Sequence, residues 1–92
     1  MDLQDGLGVI FEDDFDPDTA TANDDAVRKV LCFNETIGTL VKNDLLDRNL
    51  VLDWLWVAGA WDRVGPAALK ARERSDPALC ENFEALAKSQ ID

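Results

Sequence analysis

The aspartates of the segment 12–25, EDDFDPDTATANDD, are the residues whose types and spacing come nearest to a site with its own chemistry. If Asp14 is taken as the first position of a calcium loop, the third, fifth and twelfth are Asp16, Asp18 and Asp25. The sixth position is a threonine, where such a loop needs glycine for its sharp turn, and the twelfth lacks the longer glutamate. The pattern therefore allows a weak calcium site at these four aspartates but favours a solvated acidic linker.

Groups suited to catalysis are scarce in the chain. There is no histidine and no tyrosine, so the usual general base near neutral pH is absent. Cys32 and Cys80 have no activating partner nearby in the sequence, and we expect both to be buried apolar residues. Asp53 lies in an apolar run, and we expect it to pair with one of three arginines, Arg48, Arg63 or Arg72. We predict a non-enzymatic protein that needs no cofactor.

Charge is divided unevenly along the chain. Residues 1–25 contain nine acidic and no basic residues, whereas residues 26–92 contain ten acidic and nine basic ones. An acidic excess argues against direct binding to nucleic acid, which needs clustered lysine and arginine, and is compatible with a basic protein partner. We therefore predict an acidic N-terminal arm, residues 1–22, joined to a nearly neutral domain, residues 23–92.

The apolar segments are too short to predict a membrane span. The longest run, LVLDWLWVAGA at residues 50–60, has eleven residues and includes Asp53, whereas a span needs about 20. The N-terminal residues MDLQDGLGVI lack the basic and apolar regions of a signal peptide. We expect a soluble, cytoplasmic protein without membrane contact.

Apolar residues elsewhere recur at helical spacing between glycine and proline signals. A first helix is predicted to follow Asn23 as its cap and to end near Lys42, with Asn43 in the left-handed closing conformation. A last helix is predicted from Asp76–Pro77 to about Lys88. These boundaries leave room for two further helices between them.

The second predicted helix follows Asp47 and ends near Arg63, because Gly65–Pro66 is expected to end it and to begin a short third helix. It is apolar almost all round, which is typical of a central helix, so Trp54 and Trp61 are expected in the core. The predicted fold is all-α: a compact four-helix domain with an acidic, largely irregular arm.

Two apolar surfaces suggest a function. Leu52 and Trp56 lie on the side of the second predicted helix opposite its main stripe, and the arm sets Phe11 and Phe15 among carboxylates. The arm either covers Leu52 and Trp56 in the same chain or docks on another protein, and an uncovered patch favours self-association. The hypothesis is a protein–protein interaction module with Phe11, Phe15, Leu52 and Trp56 as candidate contacts. An acidic inhibitor that imitates nucleic acid charge on a basic protein is the alternative.

The second half of the chain resembles a family of bacterial domains of unknown function, whose members carry a tryptophan-rich helix, a proline, an arginine-bearing helix and a terminal Asn-Phe-Glu-x-Leu-Ala signature. The resemblance covers about residues 33–87 and excludes the arm. Cys80 stands where the family has tyrosine. The resemblance implies an all-helical fold and a structural role for Trp61 and Phe83, and it brings no activity. The matching positions here are Trp61, Pro66, Arg72, Asn82, Phe83, Glu84, Leu86 and Ala87.

Overall fold

A computed structural model describes residues 9–91, and within that range the protein has four helices and no strand. Both α1 and α3 pack along α4, and they also contact each other. The predicted all-α, four-helix class is confirmed. None of the helices in the described range is long and apolar enough to cross a membrane. The helices are α1 (Asp25–Lys42), α2 (Arg48–Trp54), α3 (Val57–Arg74) and α4 (Glu81–Ile91).

The start of α1 differs by one residue from its predicted position, whereas its end at Lys42 is as predicted. Asp24 rather than Asn23 is the N-cap, and its carboxylate accepts from the backbone N–H of Thr21 at 3.0 Å. At the other end Asn43 has a φ of −96°, and Asp44 takes the left-handed conformation with a φ of 61°. The residue after Asp44 donates back to the carbonyl of Leu40 at 2.9 Å, which closes a Schellman-type C-cap around Asp44 rather than Asn43.

The prediction of one helix from residue 48 to residue 63 is wrong, because the chain is extended at Leu55 (φ −117°, ψ 137°). Asp47 caps α2 as expected, since its carboxylate accepts from two backbone N–H groups of the first turn. Val51 and Val57 are both buried. A continuous helix at about 100° per residue would turn them about 120° apart, so the interruption allows both to face the core.

Gly65–Pro66 does not end a helix as predicted; both residues lie inside α3. Proline lacks an N–H, so the Asp62 carbonyl loses its helical donor, but Asp62 is exposed and water can replace that donor. Gly65 is needed for packing, since a Cβ there would lie 2.8 Å from the Trp61 ring. Trp61 in turn packs edge-on against Phe83, with ring centroids 5.0 Å apart.

The last helix begins later than the Asp76–Pro77 signal predicts. Asp76 instead closes a turn, in which its carboxylate accepts from the backbone N–H of Ala78 at 2.9 Å. Cys80 then has a φ of 60°, a left-handed conformation that an α-helix excludes, so α4 begins at Glu81. It continues to Ile91, three residues beyond the predicted end.

The core is formed by small aliphatic side chains around Phe83. Trp61 is partly buried against this core, whereas Trp54 is 68% exposed, so the predicted burial of Trp54 is wrong. The interruption after α2 explains the difference, because it turns Trp54 to solvent when Val51 and Val57 face inward. The largest fully buried side chains are Phe83, Ile10, Val27, Val30, Val57 and Val64.

The described part of the acidic arm packs on the helices. Ile10 is fully buried, Ala20 is buried, and Phe15 is partly buried against the core. Lys70 of α3 donates a hydrogen bond from Nζ to the carbonyl oxygen of Asp18. Residues 11–24 form successive turns, which agrees with the predicted irregular conformation. The division at residue 22 stays a prediction, but residues on both sides of it contribute to one core.

We predict that Ile10→Ala lowers the free energy of unfolding by about 2–5 kcal/mol, as for other large-to-small substitutions in a core. Ile10 is fully buried, so the substitution removes methyl groups from the packed interior. Denaturant melts followed by circular dichroism measure the change.

The neighbouring Val9 is 41% exposed and provides a matched control, Val9→Ala, for which we expect a change below about 0.5 kcal/mol. Equal effects of the two substitutions would contradict the packing of the arm into the core.

Candidate functional site

A cavity of about 160 Å³ opens beside the interruption between α2 and α3. The chain has three tryptophans and four phenylalanines, and four of these seven rings line the cavity. Such a concentration makes this aromatic cavity the strongest candidate for a site. Its lining residues are Phe11, Phe33, Asn34, Trp54, Leu55, Trp56 and Ala60.

Two tryptophans form the outer wall of the aromatic cavity. Trp54 is 68% exposed and Trp56 is 64% exposed, although their indole rings are largely apolar. Gly59 leaves room for one of them, because a Cβ on Gly59 would overlap the indole of Trp56. Exposed aromatic clusters of this kind are enriched at binding surfaces.

Gln90 of α4 holds the junction that presents these tryptophans. Its side-chain nitrogen donates to the carbonyl oxygens of Leu52 and Leu55 at 3.1 and 2.8 Å, and its side-chain oxygen accepts from the N–H of Ala58 at 2.7 Å. These partners are among the last carbonyls of one helix and the first N–H groups of the next, which have no partner within their own helices. Gln90 is therefore a positioning residue for the cavity.

Asn34 is the polar residue of the lining. It lies on α1, is only 3% exposed, and its side-chain nitrogen donates to the carbonyl of Val30 at 3.0 Å. A buried amide in an apolar wall is stable only when its polar atoms have partners. Asn34 thus places one polar side chain in the cavity wall, which favours a bound group that can hydrogen-bond.

The arm supplies the remaining wall and an acidic surrounding. Phe11 is 42% exposed, and the guanidinium of Arg63 lies 6.0 Å from its ring centroid. The next two residues, Glu12 and Asp13, are exposed carboxylates, as is Asp53 beside Trp54. Asp53 forms no ion pair within the described range, so its predicted pairing with an arginine is wrong.

The four predicted contact residues separate into two pairs. Phe11 and Trp56 line the same cavity, whereas Phe15 and Leu52 are partly buried against the core. The arm thus reaches Trp56 through Phe11 without covering it. Phe33 and Trp54 are not recognisable as cavity residues from the sequence, because helical spacing places each on an apolar face of its helix. Asn34 is not recognisable either, because helical spacing alone does not show a cavity.

The four aspartates of the candidate calcium loop do not converge. The Asp16 carboxylate accepts from the N–H of Asp18 at 2.9 Å, and Asp25 pairs with Arg28 and Lys29 at 3.0 Å each. The hydrogen bond and charge of Lys29, helped by Arg28, lower the pKa of Asp25. Among residues 9–91, no three acidic or thiol side chains lie close enough to hold a metal ion.

A second polar cluster surrounds the start of α4. Glu35 of α1 accepts from the N–H of Phe83 at 2.9 Å and from the side-chain nitrogen of Asn82 at 2.8 Å, so it caps α4 from another helix. Arg72 of α3 donates to the Leu79 carbonyl at 2.7 Å. These contacts satisfy backbone groups of the fold, so we interpret the cluster as structural.

Arg72 also pairs with Glu84 at 3.0 Å and lies 5.8 Å from the ring centroid of Trp61. Burial raises the pKa of Glu84, but the hydrogen bond and charge of Arg72, together with Lys88, outweigh it and lower that pKa below its ordinary value. Five positions of the resemblance noted above, Trp61, Arg72, Asn82, Phe83 and Glu84, thus contribute to the packing around the start of α4.

The two thiols lie in different environments. Cys32 is exposed, so its predicted burial is wrong, whereas Cys80 is buried as predicted. Burial and the nearby charge of Glu35 raise the pKa of the Cys80 thiol to about 11. A raised pKa at Cys80 is the opposite of what an activated nucleophile needs.

Residues 6–90 match the family described as "Domain of unknown function (DUF4760)". The match includes most of the acidic arm, which the resemblance over residues 33–87 had excluded. No curated protein and no solved structure matches the chain significantly.

We predict that Gln90→Ala lowers the free energy of unfolding by about 1–3 kcal/mol, because it leaves two carbonyls and one N–H of the junction without their partner. Hydrogen exchange at the Ala58 amide should become faster. Denaturant melts and amide exchange measured by NMR check both effects.

Lys88→Ala, on the exposed part of the same helix, is the control and should leave exchange at Ala58 unchanged. Unaltered protection of that amide in Gln90→Ala would show that Gln90 does not hold the junction.

We also predict that one thiol reacts rapidly with a disulfide reagent at pH 8 and the other slowly. Cys32 is exposed, whereas Cys80 is buried and has a raised pKa, so little thiolate is present there. Absorbance of the released thiol measures both phases. In Cys32→Ser only the slow phase should remain, and a rapid phase in that variant would contradict the burial of Cys80.

Proposed function

The chain belongs to the DUF4760 family, whose function is unknown, and we propose that it acts without catalysis, by protein–protein contact at the aromatic cavity and its acidic surrounding. The observation that carries this proposal is the pair of exposed tryptophans, Trp54 and Trp56, that line one cavity. Tryptophan is among the residues that contribute most to binding energy in protein interfaces.

The size of the cavity supports a protein partner. Binding sites for drug-sized molecules are commonly about 300–1,000 Å³, whereas the aromatic cavity measures about 160 Å³. It therefore suits a single side chain that projects from a larger surface. The exposed indoles around it would then contact the rest of that surface.

The charge distribution supports a basic partner. Residues 9–24 contain six acidic residues and no basic one, and the whole chain carries a net charge of −10. A second copy would bring the same negative charge to the interface, which disfavours self-association there. A segment of another protein that carries lysine or arginine is attracted instead.

The acidic inhibitor remains the second candidate because one observation favours it. Ile10 and Ala20 anchor the arm in the core, so the carboxylates of the arm are displayed on a folded surface. Such an inhibitor would depend on these carboxylates and on low salt, and it would not need the aromatic cavity. The two functions therefore differ in which substitutions abolish binding.

We predict that Trp56→Ala weakens binding to basic peptides by about tenfold or more, the size expected for an interface hot spot. The probes are an array of short peptides that carry lysine or arginine beside one varied residue, with charge-reversed peptides as a reference. Fluorescence anisotropy measures the affinities.

The matched control is Leu50→Ala, because Leu50 is 70% exposed on α2 but does not line the cavity. Binding that survives Trp56→Ala but is lost in Asp13→Asn or at moderate salt would favour the acidic inhibitor. If no basic peptide binds, and sedimentation shows a dimer that Trp56→Ala abolishes, the partner is a second copy.

A further inference from the structure

We propose that the aromatic cavity receives the guanidinium group of an arginine side chain from the basic partner. This inference rests on the proposed function and names the group that enters the cavity. It is motivated by three properties of the lining: its size, its aromatic faces and its buried amide.

The volume fits the head of one arginine. A cavity of about 160 Å³ admits a planar group as large as a benzene ring. A guanidinium with its attached methylene carbon is smaller than that and fits without displacing the walls. Size alone therefore admits a phenyl ring as well, and the choice of arginine rests on the aromatic faces and the buried amide.

The aromatic faces favour a planar cation. Guanidinium groups stack on tryptophan and phenylalanine rings, and the attraction grows when water is displaced. The chain shows this arrangement within its own structure, because Arg63 lies 6.0 Å from the ring centroid of Phe11 and Arg72 lies 5.8 Å from that of Trp61. Arg63 forms no ion pair among residues 9–91, so its like charge opposes the guest, while exposed carboxylates flank the lining in sequence, with Glu12 next to Phe11 and Asp53 next to Trp54.

The buried amide favours a guest with N–H groups. An apolar guest would displace water from around Asn34, which is 3% exposed, and offer its amide no hydrogen bond in return. A guanidinium has five N–H donors and can satisfy the amide oxygen. A guest of equal size without donors is therefore disfavoured by the same wall that accepts arginine.

The test uses the intact protein and small probes. N-acetyl-arginine methylamide, its lysine counterpart and the neutral isostere N-acetyl-citrulline methylamide are titrated while NMR follows the indole N–H signals of the three tryptophans. We expect saturable shifts at Trp54 and Trp56 but not at Trp61, with a dissociation constant on the order of 1 mM for the arginine probe. Citrulline, which keeps the planar shape and some of the N–H donors but replaces one nitrogen by a carbonyl oxygen and lacks the charge, should bind at least about fivefold more weakly.

Three substitutions extend the test, and Leu50→Ala is their control. Gly59→Ala forces the Trp56 indole to move while it improves helix propensity, so binding should weaken about tenfold in a protein that remains folded. Asn34→Leu should weaken the binding of the arginine probe, because it removes the amide oxygen that would accept from the guanidinium. Arg63→Gln removes a like charge and should tighten binding of the arginine probe about twofold.

The outcomes separate this inference from the proposed function. Equal binding of arginine and citrulline, stronger binding of lysine than of arginine, or weaker arginine binding in Arg63→Gln would overturn the arginine inference and leave the proposed function standing. The arginine inference would also be overturned, and the proposed function left standing, if no small probe shifts the indole signals of Trp54 or Trp56 although basic peptides bind in a Trp56-dependent way. If neither the probes nor any peptide binds, and sedimentation shows no Trp56-dependent dimer, both proposals fail.

Discussion

Without the side chain of Gln90, three backbone groups at the α2–α3 junction would lie in a partly buried position with no hydrogen-bond partner. A helix interruption near a core is costly unless such groups are satisfied. The interruption also serves packing, because it lets Val51 and Val57, which would lie about 120° apart on one continuous helix, both face the core. One amide on α4 thus makes possible both the burial of these valines and the exposure of Trp54 and Trp56.

The helix α4 is held at both ends by side chains that connect it to other elements. At its start, Glu35 accepts from the backbone N–H of Phe83, and Arg72 joins α3 to Glu84. One nitrogen of Arg72, Nη2, is buried without a hydrogen-bond partner in the described range, but the same guanidinium is compensated by its ion pair and by the Trp61 ring. Polar contacts from α1 and α3 therefore fix the start of α4, and its far end positions the aromatic cavity.

The sequence predicts the number and kind of helices well because helical spacing of apolar residues is a local property. It predicts the cap of α2 correctly for the same reason, since Asp47 needs only the two N–H groups that follow it. The interruption at Leu55 is not visible in the sequence, because the side chain that stabilises it, Gln90, lies 35 residues away. The sequence signal at Pro66 does not end the helix, because the effect of a proline depends on whether water can reach the carbonyl that loses its donor, here that of Asp62. Half of the predicted contact residues, Phe11 and Trp56, do line the cavity, but Asn34 and Phe33 become part of it only through tertiary packing.

Folding and the proposed binding depend on the same N-terminal segment. Residues 9–24 carry six carboxylates that repel one another, yet Ile10 and Ala20 hold this segment against the helices. The segment therefore contributes apolar contact to the core and, at the same time, a local excess of negative charge that opposes its own compact arrangement. A basic partner would relieve that repulsion as it contacts Phe11 and Trp56. By linkage, a partner that binds only the packed arm stabilises it, so affinity and the stability of this segment should rise and fall together.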